Sequence, residues 1–222
     1  QNWYLKQMAK EKNINLRLAT FCKPDEIGKI DLDLYGINYN MYVRPRGGIV
    51  NELKRGLAWI SKLEICNKYA GLTTIDYRIG MRRMLRELED ENYEPDIIIM
   101  QWTEILFFLP ILKKIWANAK FVAIEEDVSY LGMQRKRDFY KNVFQKAFFA
   151  CKARRVKKLE IRYLNQCNLV VFNNEKDYKL SCGDGYVGKS IIWSVFYQNL
   201  SDRKLCNNGS NEVVFYGAMA RE

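Results

Sequence analysis

Two short apolar segments, each followed by a helical pattern, constrain the fold of this chain most strongly. The first, Ile97-Ile-Ile-Met100, is apolar on both faces, which is typical of a central parallel strand. The second runs from Lys120 to Asp127 and reads KFVAIEED, so that it ends in three carboxylates. Because strands and helices alternate along the whole chain, the sequence predicts an α/β protein with a doubly wound parallel sheet.

The predicted elements also suggest how the chain is divided. Thr103 is placed to cap the helix that follows the first apolar segment and that is predicted to run to Trp116. We expect residues 1–197 to form one domain that lacks its first strand, residues 198–211 to form a linker, and residues 212–222 to begin a second domain, so that the chain is a fragment. The other predicted helices span 2–12, 49–69 and 74–91, and the other predicted strands span 14–21, 37–43, 168–172 and 190–196.

The three carboxylates at the end of KFVAIEED, namely Glu125, Glu126 and Asp127, form the candidate site. Ligands of open α/β sheets bind beyond the carboxyl ends of the strands. Adjacent carboxylates repel one another and are costly to bury unless they face water, a cation or a polar ligand. The alternative is structural, with one acid capping the next helix or pairing with Arg135 or Arg137.

The composition excludes several classes of site. The chain contains no histidine, which excludes Ser-His-Asp and Cys-His nucleophile systems and the usual His-rich metal sites. Six cysteines without a CxxC spacing exclude a zinc knuckle and a dithiol redox motif. The longest apolar run, Ile105 to Leu112, falls short of the roughly 20 residues that span a bilayer, which predicts a soluble or membrane-peripheral protein.

Most of the net charge lies in one segment, from Gln134 to Arg162. It carries eleven cations and two carboxylates, and therefore +9 of the total charge of +10. Apolar residues recur every three to five positions, which predicts one long helix with an apolar stripe on the sheet. Its cationic face is either simply solvated, or binds an anionic membrane, or, less favourably, binds nucleic acid. The cations predicted to face a membrane are Lys152, Arg154, Arg155, Lys157 and Lys158.

From Pro95 onward, the order of elements resembles the N-terminal domain of GT-B glycosyltransferases, in particular glycosyltransferase family 4. The matching stretches are PDIIIMQW, FVAIEED and RRVKKLEIRYLNQCNLVVFNNEKD, and EVVFYGAM resembles the start of the second domain. Two departures are Glu126, where many relatives have histidine, and Asn173-Asn174, where the family has serine. The resemblance implies a Rossmann-like domain that forms the N-terminal half of a GT-B fold.

The resemblance also implies an activity and a partner. It implies retaining transfer of a sugar from a nucleotide sugar to a glycan or lipid-linked acceptor at the cytoplasmic face of a membrane, as in polysaccharide biosynthesis. It implies no metal or other cofactor, and an N-terminal domain that mainly holds the acceptor. The alternative is a non-catalytic α/β module that binds anionic membrane or nucleic acid through the basic helix.

Each candidate residue has an expected role in such a transferase. Glu126 and Asp127 would accept hydrogen bonds from sugar hydroxyls at the catalytic centre, with Glu125 as a third candidate. Trp102 would stack on a sugar ring, or else serve as a core or rim aromatic residue. The remaining candidates are Gln101, as a polar contact to the substrate, and Gly217, as a close approach to the donor phosphate.

Overall fold

The computed structural model describes residues 3–29, 32–44, 56, 60–61 and 63–193. The chain folds as a Rossmann-like α/β protein with parallel strands, which confirms the predicted class. Within the described residues the strands form two sheets. One pairs β1 with β2, and the other has the order β3-β4-β5-β6. The strands are β1 Arg17–Cys22, β2 Asn38–Val43, β3 Ile97–Gln101, β4 Lys120–Glu125, β5 Leu169–Phe172 and β6 Ser190–Ile192.

The helices of the described residues connect these strands and cover the sheets. Much of the predicted helix over 49–69 lies outside the described residues, as do the predicted linker, the start of the second domain and Gly217. The predicted end of this helix is wrong, because residues 64–69 are not helical. Two 3₁₀ helices, Pro24–Lys29 and Leu32–Tyr35, separate β1 from β2. The α-helices are α1 Trp3–Met8, α2 Ile75–Asp90, α3 Thr103–Leu106, α4 Leu109–Ile115, α5 Ser129–Phe139, α6 Val143–Leu164 and α7 Glu175–Gly183.

Alternation along β4 sets which of its side chains enter the core. Phe121, Ala123 and Glu125 occupy every second position of the strand, and all three are buried. Since successive side chains of a strand point to opposite faces, the apolar residues draw Glu125 into the same face. The main core includes Phe107, Phe108, Phe121, Met100 and Phe172, each no more than 1% exposed.

The predicted central position of β3 is wrong for the sheet that the structure describes. The strand lies at the edge of that four-stranded sheet and pairs there with β4 alone. Ile97 and Ile99 are 59% and 38% exposed, whereas Met100 is buried. An apolar run shows that a strand can be buried on both faces, but it does not show which neighbours the strand has.

The helix predicted from Thr103 to Trp116 is interrupted. Helix α3 ends at Leu106, and α4 has Pro110 in its first turn. A proline inside a continuous helix would clash with the carbonyl four residues earlier, here that of Leu106, and would lack its own N–H donor. Thr103 is the first helical residue, and not the cap, because Trp102 occupies the N-cap position.

The basic segment forms a helical hairpin and not the single long helix that was predicted. Tyr140 and Asn142 have extended backbone conformations between α5 and α6, and the two helices pack against each other. The Asn142 side-chain oxygen accepts from the backbone N–H groups of Phe144 at 2.8 Å and Gln145 at 3.3 Å. Asparagine at an N-cap starts a new helix at this point.

Candidate functional site

Polar side chains from three elements meet at the carboxyl ends of β3 and β4. Gln101, the last residue of β3, donates a hydrogen bond from Nε2 to Glu126 Oε1 at 2.8 Å. The Tyr4 hydroxyl of α1 donates to Gln101 Oε1 at 2.5 Å. Burial and the nearby charge of Glu126 raise the pKa of Tyr4 to about 12, so the phenol remains a donor at neutral pH. Both polar ends of the Gln101 amide are therefore held in place.

Trp102 follows directly after Gln101 and has an unusual backbone conformation. Its φ of 74° and ψ of 136° lie outside the regions that side-chain-bearing residues ordinarily occupy. Such conformations cost about 1–3 kcal/mol and often occur at functional sites. The indole is 43% exposed, so part of its ring is available to a ligand.

Asp127 presents an exposed carboxylate beside this cluster. Within the described part of the chain, that carboxylate makes no hydrogen bond or ion pair, and only its backbone carbonyl has a partner, the Thr103 hydroxyl at 3.1 Å. Asp127 does not cap α5, because the N-cap residue is Val128 and no cap bond comes from its side chain. Arg137, one of the two proposed ion-pair partners, pairs with Asp138.

The cap of α5 comes instead from a distant residue, Glu160 of α6. Its Oε1 accepts from the backbone N–H of Ser129 at 2.8 Å, and Tyr130 contributes a second backbone hydrogen bond. The first N–H groups of a helix have no partner within the helix. Glu160 supplies one and ties the start of α5 to α6.

Glu125 does not face a ligand, so its predicted role in substrate binding is wrong. The side chain is 1% exposed, and its Oε1 accepts from the Thr103 hydroxyl at 2.9 Å. The cause is that successive side chains of β4 point to opposite faces of the sheet, which places Glu125 in the core and leaves Glu126 at the sheet edge. Glu125 instead adjoins Glu160, which is also 1% exposed.

Burial shifts both acids of this pair toward the protonated form. Burial raises the pKa of Glu125 well above its usual range, and the charge of Glu160 raises it further. Burial also raises the pKa of Glu160 to about 7, against the effect of the backbone donors at Ser129. Neither Oε2 atom has a partner among the hydrogen-bond donors of the described residues. The raised pKa of Glu125 favours a proton held by Glu125 and donated to the Glu160 carboxylate.

The structure contradicts the prediction that Lys152 faces a membrane. Lys152 is 4% exposed, and its Nζ donates to the carbonyl oxygen of Gly71 at 3.0 Å. Arg155 is partly covered, and its Nη2 donates to the carbonyl oxygen of Cys66 at 3.2 Å. The loop that precedes α2 therefore lies along this side of α6, a long-range contact that the helical pattern does not reveal.

The other predicted membrane-facing cations differ in their surroundings. Lys157 forms an ion pair with Asp184 after α7, and its Nζ lies 5.1 Å from the centre of the Tyr130 ring. Arg154 and Lys158 are exposed. Only these last two match the predicted solvent-facing arrangement closely, so the five cations do not form one continuous surface.

The described residues offer no metal cluster, and the concavity that they form on α2 lies away from the strand ends. No group of three or more cysteine, aspartate or glutamate side chains in the described ranges is placed to hold a metal ion. A shallow concavity of about 430 Å³ lies on α2, where its lining includes Arg82, Arg86 and the ion-paired Arg83 and Glu87. None of the strand-end residues lines it.

No protein-family model, curated protein or solved structure matches this chain. None of the helices in the described ranges has both the length and the apolar character needed to cross a bilayer. The chemistry of the strand ends therefore provides the basis for inferring a function.

Sequence reasoning missed three residues that build this site: Tyr4, Thr103 as a donor to Glu125, and Glu160. A pattern for Glu160 was present, since it follows Val156 by four residues and precedes Leu164 by four. That spacing places the acid on the buried stripe of α6. No comparable pattern identifies Tyr4, because its contact with Gln101 joins residues 97 positions apart.

Proposed function

We propose that this chain is the acceptor-side domain of a retaining glycosyltransferase, which transfers a sugar from a nucleotide sugar to a glycan or lipid-linked acceptor. The observation that carries the proposal is the exposed carboxylate of Asp127. It comes directly after Glu126, which is bonded to Gln101, and the partly exposed Trp102 indole follows the neighbouring strand. Parallel strands place their ligands at this edge.

These groups suit a sugar ring better than they suit an anionic or purely apolar ligand. The carboxylates of Asp127 and Glu126 can accept hydrogen bonds from sugar hydroxyls, and such charge-assisted bonds are about twice as strong as neutral ones. The Trp102 indole offers a flat apolar surface with a polar tip. Because Tyr4 and Gln101 already hold Glu126, that carboxylate needs little reorganisation to receive a ligand.

In the proposed reaction, the domain orients the acceptor hydroxyl toward the anomeric carbon of the donor. The bond from the anomeric carbon to the donor phosphate oxygen breaks through an oxocarbenium-like transition state, the acceptor oxygen bonds to that carbon, and the acceptor proton passes to the departing nucleoside diphosphate. Asp127 and Glu126 position the acceptor, while residues outside those described, including Gly217, would contact the donor. The resemblance to glycosyltransferase family 4 supports retention, independence of metal and a location at the cytoplasmic face of the membrane.

Nucleotide release provides the test. Protein expressed from the complete reading frame that encodes this chain is incubated with nucleotide sugars and with oligosaccharide or lipid-extract acceptors. We expect acceptor-dependent release of a nucleoside diphosphate, reduced about 10²-fold by Asp127→Asn because the acceptor is no longer held in position. Asp138→Asn, which removes an exposed carboxylate outside the site, should leave the rate unchanged. The proposal fails if no donor releases nucleotide, or if Asp127→Asn retains the full rate.

A further inference from the structure

The junction of α5 and α6 exposes large apolar side chains to an unusual degree. We call residues 139–146 the hairpin tip. Phe139, Val143 and Phe144 are 82%, 76% and 85% exposed, and every residue from 141 to 147 is exposed. Burying one such side chain is worth about 1.5–3 kcal/mol, which this surface forgoes in the isolated domain.

The base of the hairpin tip is ordered by stacked rings. The Tyr140 and Phe149 rings are nearly parallel, with an interplanar angle of 6° and centroids 5.2 Å apart. Phe139 meets Tyr140 edge to face at 5.7 Å, and Asn142 caps α6. The exposed rings are therefore presented by packed helices with a defined turn.

Exposed cations lie close in the sequence to these apolar residues. Arg135, Lys136, Lys141 and Lys146 are exposed, and none of them forms an ion pair within the described part of the chain. The carboxylate in this stretch, Asp138, pairs with Arg137. An exposed apolar tip with four exposed cations within or next to it in the sequence complements a surface whose outer layer is anionic and whose interior is apolar.

We propose that the hairpin tip inserts into the headgroup layer of an anionic phospholipid membrane, with Phe139 and Phe144 as anchors and Lys141 and Lys146 as headgroup contacts. The proposal does not depend on glycosyl transfer. It also replaces the surface predicted from the sequence, since Lys152 of that surface is buried and Arg155 and Lys157 contact other parts of the protein. Binding of nucleic acid and association of two copies of the chain are the two alternative outcomes of the test.

Vesicle flotation tests the proposal on the full chain. The vesicles contain phosphatidylcholine with about one third phosphatidylserine, an anionic content in the range that attracts basic segments. Retention should fall at least tenfold in the double variant Phe139→Ser and Phe144→Ser. It should fall roughly fivefold for each of Lys141→Gln and Lys146→Gln, and it should be lost on pure phosphatidylcholine.

Matched controls separate the hairpin tip from other exposed positions. Leu34→Ser and Val187→Ser change side chains that are 83% and 87% exposed elsewhere on the domain, and they should retain the wild-type affinity. Arg154→Gln and Lys158→Gln, on the exposed part of α6, should weaken retention less than the tip lysines do. Thermal unfolding of each variant confirms that it remains folded.

Three results would overturn the proposal. The first is the absence of retention of the wild-type chain on anionic vesicles. The second is retention that the serine double variant leaves unchanged, or that depends on Arg154 and Lys158 more than on the hairpin tip. The third is a hairpin tip that mediates self-association or duplex DNA binding instead. In that case the chain would not bind vesicles, and the double variant would lose the dimer or the retention on DNA.

Discussion

Glu125 and Glu160 lie side by side in the core, each 1% exposed, although one ends a strand and the other belongs to a helix that begins 18 residues later, at Val143. Thr103 and Ser129 donate to the outer oxygens of the pair, and the buried Asp177 adds negative charge nearby. The pair joins β4, α3, α5 and α6 beneath the proposed acceptor site.

This pair should make folding stability decrease as pH rises. Well below pH 4.5, the ordinary pKa of glutamate, both acids are protonated in the folded and the unfolded chain, and the pair adds no pH dependence to stability. As the pH rises to about 7, the unfolded chain releases protons that the folded chain keeps, because the pKa of each acid is raised in the folded state. Each retained proton lowers the free energy of unfolding by about 1.4 kcal/mol per pH unit.

Glu125→Gln should reduce this pH dependence, since the amide can accept from Thr103 and donate to Glu160 without titrating. Urea unfolding between pH 5 and about 8 measures the slope. The control Glu89→Gln, at an exposed position of α2, should keep the wild-type slope. Equal slopes for Glu125→Gln and the wild type would show that the pair does not hold a proton.

At position 102, glycine should give a more stable protein than alanine, which reverses the usual order of stability for these two residues. Glycine adopts positive φ readily, whereas alanine keeps the strain at φ 74°. We expect Trp102→Gly to be more stable than Trp102→Ala by about 1 kcal/mol in urea unfolding. At Glu104, an exposed position of α3, alanine should be the more stable by about 0.5–1 kcal/mol. An alanine advantage at position 102 would mean that the backbone relaxes once the indole is gone.

Truncating two lysines of α6, which are six positions apart, should change the stability of the domain by different amounts. Lys152→Ala removes a buried side chain and leaves the Gly71 carbonyl oxygen without its charged donor, which should cost about 2–4 kcal/mol. Lys158→Ala removes an exposed side chain and should change stability by less than about 0.5 kcal/mol. Differential scanning calorimetry on both variants tests the difference, and similar melting temperatures would argue against the burial of Lys152.

Replacing each of two helical glycines by alanine should change the stability of the domain in opposite directions. A Cβ at Gly80 of α2 would lie 2.8 Å from Phe21 Cε1 and closer still to Tyr42 Cδ1, so Gly80→Ala should destabilise the domain by about 1–3 kcal/mol. Gly132 of α5 has open space around its would-be Cβ. Gly132→Ala should therefore stabilise by about 0.5–1 kcal/mol through helix propensity. If both substitutions stabilised the domain, the aromatic rings beside Gly80 would have to move aside at little cost.

Local patterns in the sequence were sufficient for the fold class and for most element positions. Alternating strands and helices predicted the parallel α/β arrangement, and the chemistry of Pro110 and Asn142 could also have located the two helix breaks. The edge position of β3 could not be read in this way, because strand neighbours depend on the whole topology.

The candidate site was only partly predictable for the same reason. The end of β4 gave Glu126 and Asp127, and their position after a strand is a local property. The inward turn of Glu125 follows from alternation, but its pairing with Glu160 depends on how α6 docks. The burial of Lys152 depends on the loop around Gly71, and no periodicity within a helix reports a contact across 81 residues.

Helix α6 also sets a distance. Phe144 at the hairpin tip and Glu160 beneath the strand ends are 16 residues apart in one helix, which corresponds to about 24 Å at 1.5 Å per residue. With the tip at the level of the lipid headgroups and α6 upright on the membrane, Glu160 would stand about that height above the bilayer, with the proposed acceptor site near it. If both proposals hold, a lipid-linked acceptor would carry its reactive hydroxyl on a spacer that reaches this height, and the length of α6 would select acceptors by how far they project from the membrane.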